Sequence, residues 1–439
     1  MTFTLTGSDS MTGLTAPTVH RLSNGLTIVA EQMPVEATNL SLWLGAGSAV
    51  ESDDINGIAH YLEHMIFKGT RQLPTGLFER TVEQCGGATN AATSQDYTHY
   101  YITAAPDDFA TLAPLQIEMV LNAAIPDDAF ERERSVILEE IRRSHDNPRR
   151  RSFYRSMEAA FQHLPYRRPV LGREEVVRSL TAQQMREFHH TWYRPQSITA
   201  VAVGNLPVED LVSIVADGFD TALAERSLQD HPLEIETSLT RPSYLAAEHP
   251  FETIQRYDYE DPTLQQARLS LMWRVPGMDE VHHTYALDAI AYILGQGRTA
   301  RLVRDLREER KWVTSVSATN MTYARQGIFQ ITVQLPAAAI PEVEQAIAHH
   351  LQSLQTDAIQ DEELERVRTL VANQYIFGNE TPSNRAGLYG YYHTLVGDLT
   401  PALNYPARIR ALDAIDLQRA AQQYLSPQAC GIVVSKPAS

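Results

Sequence analysis

The sequence predicts an α+β protein that contains two copies of one structural unit. In VHRLSNGLTIVAEQMP (residues 19–34), two short apolar runs flank Ser-Asn-Gly, which is typical of a β-hairpin. Strand patterns then recur at an offset of 229 residues: LSLWL begins at Leu40 and LSLMW at Leu269, while YYIT begins at Tyr100 and FQIT at Phe329. Because both pairs keep one offset, we expect a duplicated unit, although short apolar strands also match by chance.

The other elements follow in the same alternation of strands and helices. The stretch ATNLSLWLGAGSAVE (residues 37–51) indicates a strand that ends in a glycine turn and leads into a helix over IAHYLEHMIFKGT (residues 58–70). Further strand patterns are YTHYYITAAP and SITAVAVGNL, and helical patterns cover residues 76–86, 107–123, 127–145 and 181–192. Mixed strands, helices and hairpins of this kind indicate α+β layers.

The chain has 439 residues, which is too long for a single hydrophobic core. We expect a polar N-terminal tail over residues 1–17 and a first domain over residues 18–225. Apolar periodicity fails in residues 226–250, where Pro, Ser and charged residues predict a linker. A second domain is then expected over residues 251–439.

Composition excludes several classes of protein. Hydrophobic residues make up 43% and charged residues 21%, as in an ordinary globular protein, and the net charge of −17 argues against binding to nucleic acid or to an anionic membrane. Cys85 and Cys430 are the only cysteines, so a metal would need nitrogen and oxygen ligands. Because neither a signal peptide nor a bilayer-length apolar run is present, we expect a cytoplasmic protein, or a periplasmic one if a leader was removed.

Three metal-binding side chains lie close together in IAHYLEHMIFKGT. Residues three and four apart share a face of an α-helix, so His60, Glu63 and His64 project from one side of the predicted helix. Apolar and aromatic neighbours would bury the flanks of that helix. Taken alone, a histidine pair on a helix is often a surface or core feature, so its context has to decide.

The duplication provides an internal control for this cluster. Adding the offset of 229 to His60, Glu63 and His64 gives Ala289, Tyr292 and Ile293, none of which is one of the original ligand types. If folding needed the polar cluster, the second copy should have kept it. The first copy is therefore predicted to carry the cluster for chemistry.

A catalytic zinc site usually takes three protein ligands, so two histidines need a partner. The helical segment FERERSVILEEIRRSHDNP places Glu133 and Glu140 two turns apart on one face, while Glu139 points about 100° away from Glu140. In the second half, Glu365 aligns with Glu133 and Ala372 stands opposite Glu140. The alternative for Glu133 is a surface charge paired with a neighbouring arginine.

These motifs together resemble the M16 metallopeptidases, the inverzincin family that includes pitrilysin, insulin-degrading enzyme and the mitochondrial processing peptidase. The HxxEH motif matches His60, Glu63 and His64, and the distal glutamate of the family matches Glu140. LWLGAGS, HMIFKGT, GGATNAATSQDYTHYY and ERERSVILEEI also agree in order and spacing. The resemblance covers nearly the whole chain, whose length is similar to that of the short bacterial M16B-type members.

The resemblance implies two homologous α/β-roll domains, each an antiparallel sheet packed with helices, that form half of a clam-shell chamber. It implies a zinc metalloendopeptidase (EC 3.4.24 type) that holds one Zn²⁺ per chain through His60, His64 and Glu140. Glu63 would be the general base, and Glu133 would orient a histidine ligand. The alternative is a catalytically silent or scaffold subunit of a larger complex.

For substrate binding, the resemblance implies that the segment after Gly86-Gly87 forms an edge strand beside the metal. Asn90 and Ala91 would then contact the main chain of an extended, unfolded peptide. The alternative is that Asn90 bonds its own backbone.

The chain departs from the family pattern at one position. GQGRTARLVRDLREERKWVTSV resembles the segment that carries a substrate-binding arginine and, seven residues later, a tyrosine; Arg307 fits the first position, but Thr314 occupies the second. A separate chain that carries the full pair would supply the missing phenol. We therefore expect a heterodimer with a homologous M16 subunit, with a homodimer as the second choice, and no nucleic-acid or membrane partner.

Overall fold

The computed structural model describes residues 2–4, 16–227 and 246–438. Its contacts divide the chain into two compact units, one of residues 1–142, 169–243 and 378–403, the other of residues 143–168, 244–377 and 404–439. Most of the predicted linker and most of the predicted N-terminal tail lie outside the described residues. No described helix is both long enough and apolar enough to cross a bilayer.

The first unit contains a seven-stranded sheet. Its strands are β1 (Thr2–Thr4), β2 (Thr18–Arg21), β3 (Thr27–Gln32), β4 (Thr38–Leu44), β5 (Ala88–Thr93), β6 (Thr98–Ala104) and β7 (Ile198–Gly204), in the order β1-β2-β3-β7-β4-β6-β5. Neighbouring strands are antiparallel except β3 and β7, which are parallel. The hairpin predicted around Ser-Asn-Gly is confirmed as β2 and β3.

Helices cover one face of this sheet. They are α1 (Ile58–Ile66), α2 (Leu77–Gln84), α3 (Phe109–Leu121), α4 (Asp127–Asp146), α6 (Glu174–Ser179), α7 (Ala182–Trp192) and α8 (Val208–Ser227), and α5 (Pro148–Ala160) belongs to the second unit. The alternating residues Leu40, Leu42 and Leu44 of β4 point into the core beneath these helices. The four helical segments predicted between residues 76 and 192 are confirmed to within two residues at each end.

The second unit contains a five-stranded sheet. Its strands are β8 (Gln255–Glu260), β9 (Ala267–Pro276), β10 (Ser315–Met321), β11 (Gln326–Leu335) and β12 (Gly431–Lys436), in the order β10-β11-β9-β12-β8. The helices of the second half are α9 (Tyr285–Gly295), α10 (Ile340–Thr356), α11 (Asp361–Phe377), α12 (Pro382–Val396), α13 (Thr400–Ala411) and α14 (Ala414–Tyr424), with a π-helical segment at Val303–Glu309.

The strand order confirms the duplication. The order β3-β7-β4-β6-β5 of the first unit recurs as β8-β12-β9-β11-β10, including one parallel pair at the corresponding place. The pairing register differs from the constant offset of 229 residues in one detail. Leu40 pairs with Ile102, so the offset predicts that Leu269 pairs with Ile331, but Leu269 pairs with Val333, two residues further along. A shift of two residues keeps every side chain on its original face, so the two cores are built alike.

In each unit, one helix comes from the other half of the sequence. Helix α5 packs on β9 and β12 of the second sheet, and α12 packs on β4 and β7 of the first. Each sheet thereby buries part of its second face under a helix that is distant in sequence. The compact units follow these contacts rather than the contiguous ranges expected from the sequence, and those ranges stay a prediction.

Polar contacts hold α12 on the first sheet. The guanidinium of Arg385 donates to Glu31 Oε1 at 2.8 Å, and the hydroxyl of Tyr389 donates to Glu31 Oε2 at 2.8 Å. Burial raises the pKa of the Glu31 carboxyl, and the charge of Arg385 opposes that shift. One turn further, a hydrogen bond of 2.8 Å joins the Thr199 hydroxyl to Nδ1 of His393.

We predict that Gly390→Ala destabilises the protein while Gly387→Ala does not. Both glycines lie in α12, but a Cβ at Gly390 would lie 2.1 Å from Nε1 of Trp43, whereas a Cβ at Gly387 meets nothing within 4 Å. Overpacking should cost about 1–3 kcal/mol at Gly390, and the better helix propensity of alanine should add up to ~1 kcal/mol at Gly387. Chemical denaturation of both variants measures the difference, and equal shifts would contradict this packing.

Candidate metal centre

The helix that carries the HxxEH motif begins at a tightly fixed point. Gly57 precedes α1 with φ of 100°, and a Cβ there would lie 2.7 Å from the Cα of Gly172, so only glycine fits. The carboxylate of Glu51 accepts hydrogen bonds from the backbone N–H groups of Gly57 and Ala59, each at 2.9 Å. The first turn of α1 is therefore capped by a buried carboxylate, which sequence reasoning missed.

Two imidazoles and one carboxylate converge beside α1. Oε2 of Glu140 lies 3.5 Å from Nε2 of His60 and 3.7 Å from Nε2 of His64, and the three ligand atoms lie within 4.8 Å of one another. Tetrahedral coordination with bonds of about 2.1 Å would separate ligand atoms by about 3.4 Å. The donor set therefore fits a divalent ion such as Zn²⁺ in both chemistry and spacing.

Burial prepares His60 for metal binding. Loss of hydration lowers the pKa of His60 to about 3, with a smaller contribution from His64, so the imidazole is neutral and keeps a lone pair for a metal. The His60 side chain is 11% exposed, whereas the Glu140 side chain is 36% exposed. The site is therefore closed on the His60 side and reachable from solvent on the Glu140 side.

The carboxylate of Glu133 orients the second histidine. Its Oε1 lies 2.9 Å from Nδ1 of His64, and its Oε2 lies 2.6 Å from Nζ of Lys68. Burial opposes ionisation of Glu133, but hydrogen bonds from Lys68 and His64 outweigh it and lower the pKa of Glu133. An ionised Glu133 accepts a hydrogen bond from Nδ1–H of His64, which leaves the Nε2 lone pair directed towards Glu140. The contact of Lys68 was not predicted from the sequence.

Glu63 lies on the same helix but outside the ligand set. Its Oε2 accepts a hydrogen bond of 2.5 Å from the hydroxyl of Thr93, at the end of β5. Burial raises the pKa of Glu63, and the bond from Thr93 opposes that shift. Thr93 therefore fixes the orientation of this carboxylate, and no motif in the sequence singles it out.

Helices α1 and α4 are locked together next to the site. The rings of Tyr61 and Phe130 stack with centroids 4.5 Å apart, and the hydroxyl of Tyr61 donates to the backbone carbonyl of Phe130. This contact lies one turn from Glu133 and sets the rotation of α4. Glu139, next to Glu140, instead points outward and pairs with Arg142 at 3.2 Å.

The predicted edge strand is in place, but Asn90 engages its own backbone. Strand β5 lies at the edge of the sheet within the described residues and contacts α1. Oδ1 of the exposed Asn90 accepts a hydrogen bond of 2.9 Å from the N–H of Ala91. This is the local bond expected under the alternative interpretation, and substrate roles for both residues stay predictions.

In the structure, the side chains of Arg307 and Thr314 are each bonded to a neighbouring residue. Both belong to the second unit, where Arg307 bonds Glu308 at 2.6 Å and the hydroxyl of Thr314 donates to Gln266 at 2.9 Å. Each side chain therefore has a local partner. A substrate role for Arg307 stays a prediction.

In the second unit, the positions that correspond to the three ligands and to Glu63 are apolar or engaged. Ala289 and Ile293 are buried in the core of that unit, as is Ala372. The hydroxyl of Tyr292 donates to Gln374. Among the described residues, the His60, His64 and Glu140 cluster is the one group with three suitable metal ligands.

Comparison with known proteins likewise assigns a different domain description to each half of the chain. Residues 27–174 match the family model described as Insulinase (Peptidase family M16), and residues 179–371 match the model described as Peptidase M16 inactive domain. A Mycobacterium leprae protein named as an uncharacterized zinc protease is 29% identical over 360 residues, which are 82% of this chain and 78% of that protein. A similarly named Bacillus subtilis protein is 26% identical over 402 residues, or 91% of this chain and 93% of that protein.

Solved structures show the same fold. A protease from Helicobacter pylori has a TM-score of 0.88 at 24% identity, covering 96% of this chain and 99% of its own. A peptidase M16 inactive domain from Pseudomonas fluorescens has a TM-score of 0.84 at 18% identity, covering 97% of this chain and 98% of its own.

We predict that Glu140→Gln weakens zinc binding while Glu139→Gln leaves it unchanged. Glu140 lies 3.5 Å from Nε2 of His60, whereas its neighbour Glu139 bonds Arg142 at the surface. Loss of a direct ligand should exceed the ~10–100-fold cost that is typical of losing an outer partner. Competition with a fluorescent chelator measures both affinities, and equal loss in the two variants would show that the face of α4 is misassigned.

Proposed function

Because the chain belongs to peptidase family M16, we propose that it is a zinc-dependent endopeptidase that cleaves unfolded peptides or short polypeptides. The observation that carries this proposal is the convergence of one ligand atom each from His60, His64 and Glu140 within 4.8 Å. Glu63, on the same face of α1, supplies a carboxylate that is not part of the ligand set. These four residues provide the ligands and the base that metal-assisted hydrolysis requires.

The residues around the metal-binding cluster have separate roles in the proposed reaction. A zinc ion bound by the three ligands would acidify a water molecule and polarise the scissile carbonyl. Glu63 accepts a proton from the attacking water and later donates it to the leaving amine. The hydroxyl of Thr93 holds Oε2 of Glu63, so the carboxylate keeps one orientation during both transfers. Glu133 keeps His64 in the tautomer that leaves Nε2 free.

The substrate class rests on the position of β5. An extended peptide can add to an exposed sheet edge through main-chain hydrogen bonds, and β5 offers such an edge beside the residues that hold Glu63. A folded domain has no free extended strand to insert. For a substrate to use the N–H of Ala91, Asn90 would first release it.

We predict that Glu63→Gln retains zinc and loses peptidase activity. Loss of a general base lowers the rate by about 10²–10⁴-fold. Cleavage of a quenched unfolded peptide, measured alongside the zinc content of each variant, tests the role, with Glu139→Gln as the control for an exposed carboxylate. A stable folded domain should stay intact with the unmodified protein. Full activity in zinc-loaded Glu63→Gln would refute the role assigned to Glu63. The scaffold role would be favoured if the unmodified chain, loaded with zinc and tested with its co-purifying subunits, cleaved no peptide.

We further propose that the active assembly is a heterodimer with a homologous subunit that carries the arginine and tyrosine pair. The support is Thr314, which has no phenol to offer and whose hydroxyl bonds Gln266. Two copies of this chain would provide only Arg307 and Thr314. Homodimers are the commoner assembly in general, so the homodimer is the alternative.

We predict that the chain purified alone is weakly active and that Thr314→Tyr raises its activity. One added hydrogen bond to substrate corresponds to about 2–10-fold in kcat/KM. Thr356→Tyr, at another exposed threonine of the second unit, serves as the control. Mass measurement in solution defines the assembly for each variant, and a fully active homodimer that gains nothing from the tyrosine would rule out the heterodimer.

A further inference from the structure

The second unit contains a cavity that none of the HxxEH residues line. It has a volume of about 360 Å³ and lies between α5 and the strands β9, β10, β11 and β12. This volume is in the range of cavities that hold small ligands. The cavity occupies the face of the sheet opposite the apolar core, which explains why polar side chains line it.

The lining is rich in hydrogen-bond donors and contains no acidic side chain. Arg149 from α5 and Arg268 from β9 contribute guanidinium groups, and the other polar side chains are serine, threonine and glutamine. The chain as a whole has 54 acidic against 37 basic residues. A cavity free of carboxylates therefore runs against the composition of the protein, and its local field favours an anion.

The two arginines have no acidic partner of their own. Neither Arg149 nor Arg268 forms an ion pair with any carboxylate in the described part of the chain, and Nε of Arg268 is buried without a hydrogen-bond partner. The nearby carboxylate of Asp261 is already bound by Arg151 at 2.8 Å. Arg151 therefore has a bonded counter-charge, which Arg149 and Arg268 lack among the described residues.

The charge on Arg268 is destabilised by its surroundings. Burial lowers the pKa of Arg268, and the like charges of Arg149 and Arg151 lower it further, while Asp261 opposes the shift. A bound anion between Arg149 and Arg268 would offset the cost of desolvation and the repulsion between the two guanidinium groups.

Hydroxyl groups add neutral donors to the same cavity. Ser435 accepts a hydrogen bond of 2.9 Å from Arg155, so its own proton remains available. Ser317 and Thr332 share one hydrogen bond of 2.8 Å, which uses one of their two protons. Hydroxyl donors beside two guanidinium groups are a combination that recognises the oxygen atoms of an oxyanion.

We propose that this cavity is a binding site for an oxyanion, the carboxylate or phosphate group of a small ligand or a peptide end, held by Arg149 and Arg268. The site is independent of the zinc-binding cluster, so it stands or falls separately from the proposed peptidase activity. The planar guanidinium forks would each donate to the anion, and the serine and threonine hydroxyls would complete its coordination.

The primary experiment titrates inorganic phosphate into the full chain by isothermal titration calorimetry at constant ionic strength. Arg149→Gln and Arg268→Gln are each expected to weaken phosphate binding at least tenfold. Arg150→Gln is the matched control, since it removes the same charge from the neighbouring exposed position, which does not line the cavity. Equal loss in Arg149→Gln and Arg150→Gln, or heat of binding in none of the proteins, would overturn the proposal.

Two further arms identify the source of the anion. Binding of N-acetylalanine but not its amide would indicate a carboxylate ligand, and binding of glycerol phosphate without N-acetylalanine would indicate a phosphate ligand. Removing an unpaired charge should leave the melting temperature of ligand-free Arg268→Gln equal or higher. If that variant does not fold, the exposed Arg149→Gln still decides the question, because its side chain is not needed for the core.

Discussion

The relative register of α1 and α4 is the constraint on which the candidate metal centre depends. Glu133 and Glu140 are separated by about 10 Å along their helix, yet both must reach the imidazole of His64, one at Nδ1 and the other at Nε2. A rotation of α4 that improved one contact would break the other. The stacked rings of Tyr61 and Phe130 fix that rotation a turn away, so a purely structural contact sets the geometry of the site.

The duplicated unit shows that the fold does not require the polar cluster. In α9 the corresponding positions hold the buried Ala289 and Ile293, and in α11 the position opposite Glu140 is the buried Ala372. The same strand order therefore forms with no imidazole or carboxylate group at these positions, although α9 buries the carboxyl of Asp288, which accepts hydrogen bonds from Asn320 and Tyr405. The first unit keeps polar groups at the ligand positions, where Glu133 bonds His64 and the hydroxyl of Thr93 donates to Glu63. Retention of an unfavourable arrangement in one copy only is what a functional site predicts.

The parts of the site that the sequence predicted are those set by local periodicity. His60 and its motif partners lie one turn apart, and Glu140 lies on one helical face with Glu133, so spacing made both groups candidates and the family resemblance assigned their roles. Thr93 and Lys68 were missed because their contacts depend on how β5 and the end of α1 pack, which no local pattern encodes. The exchange of α5 and α12 between units was missed for the same reason, since a helix pattern does not state which sheet it covers.

The self-bonded Asn90 is compatible with the proposed addition of a peptide to β5. An open edge with free N–H groups invites unwanted pairing with other chains, and natural sheets protect such edges. Oδ1 of Asn90 protects the N–H of Ala91 in this structure. An incoming peptide carbonyl would replace that oxygen, and exchanging one hydrogen bond for another changes the free energy by less than the ~0.5–1.5 kcal/mol net value of a single bond. The bond between Asn90 and Ala91 therefore protects the strand edge from unwanted pairing. It would lower the affinity for an extended peptide only slightly, because the peptide would replace one hydrogen bond with another.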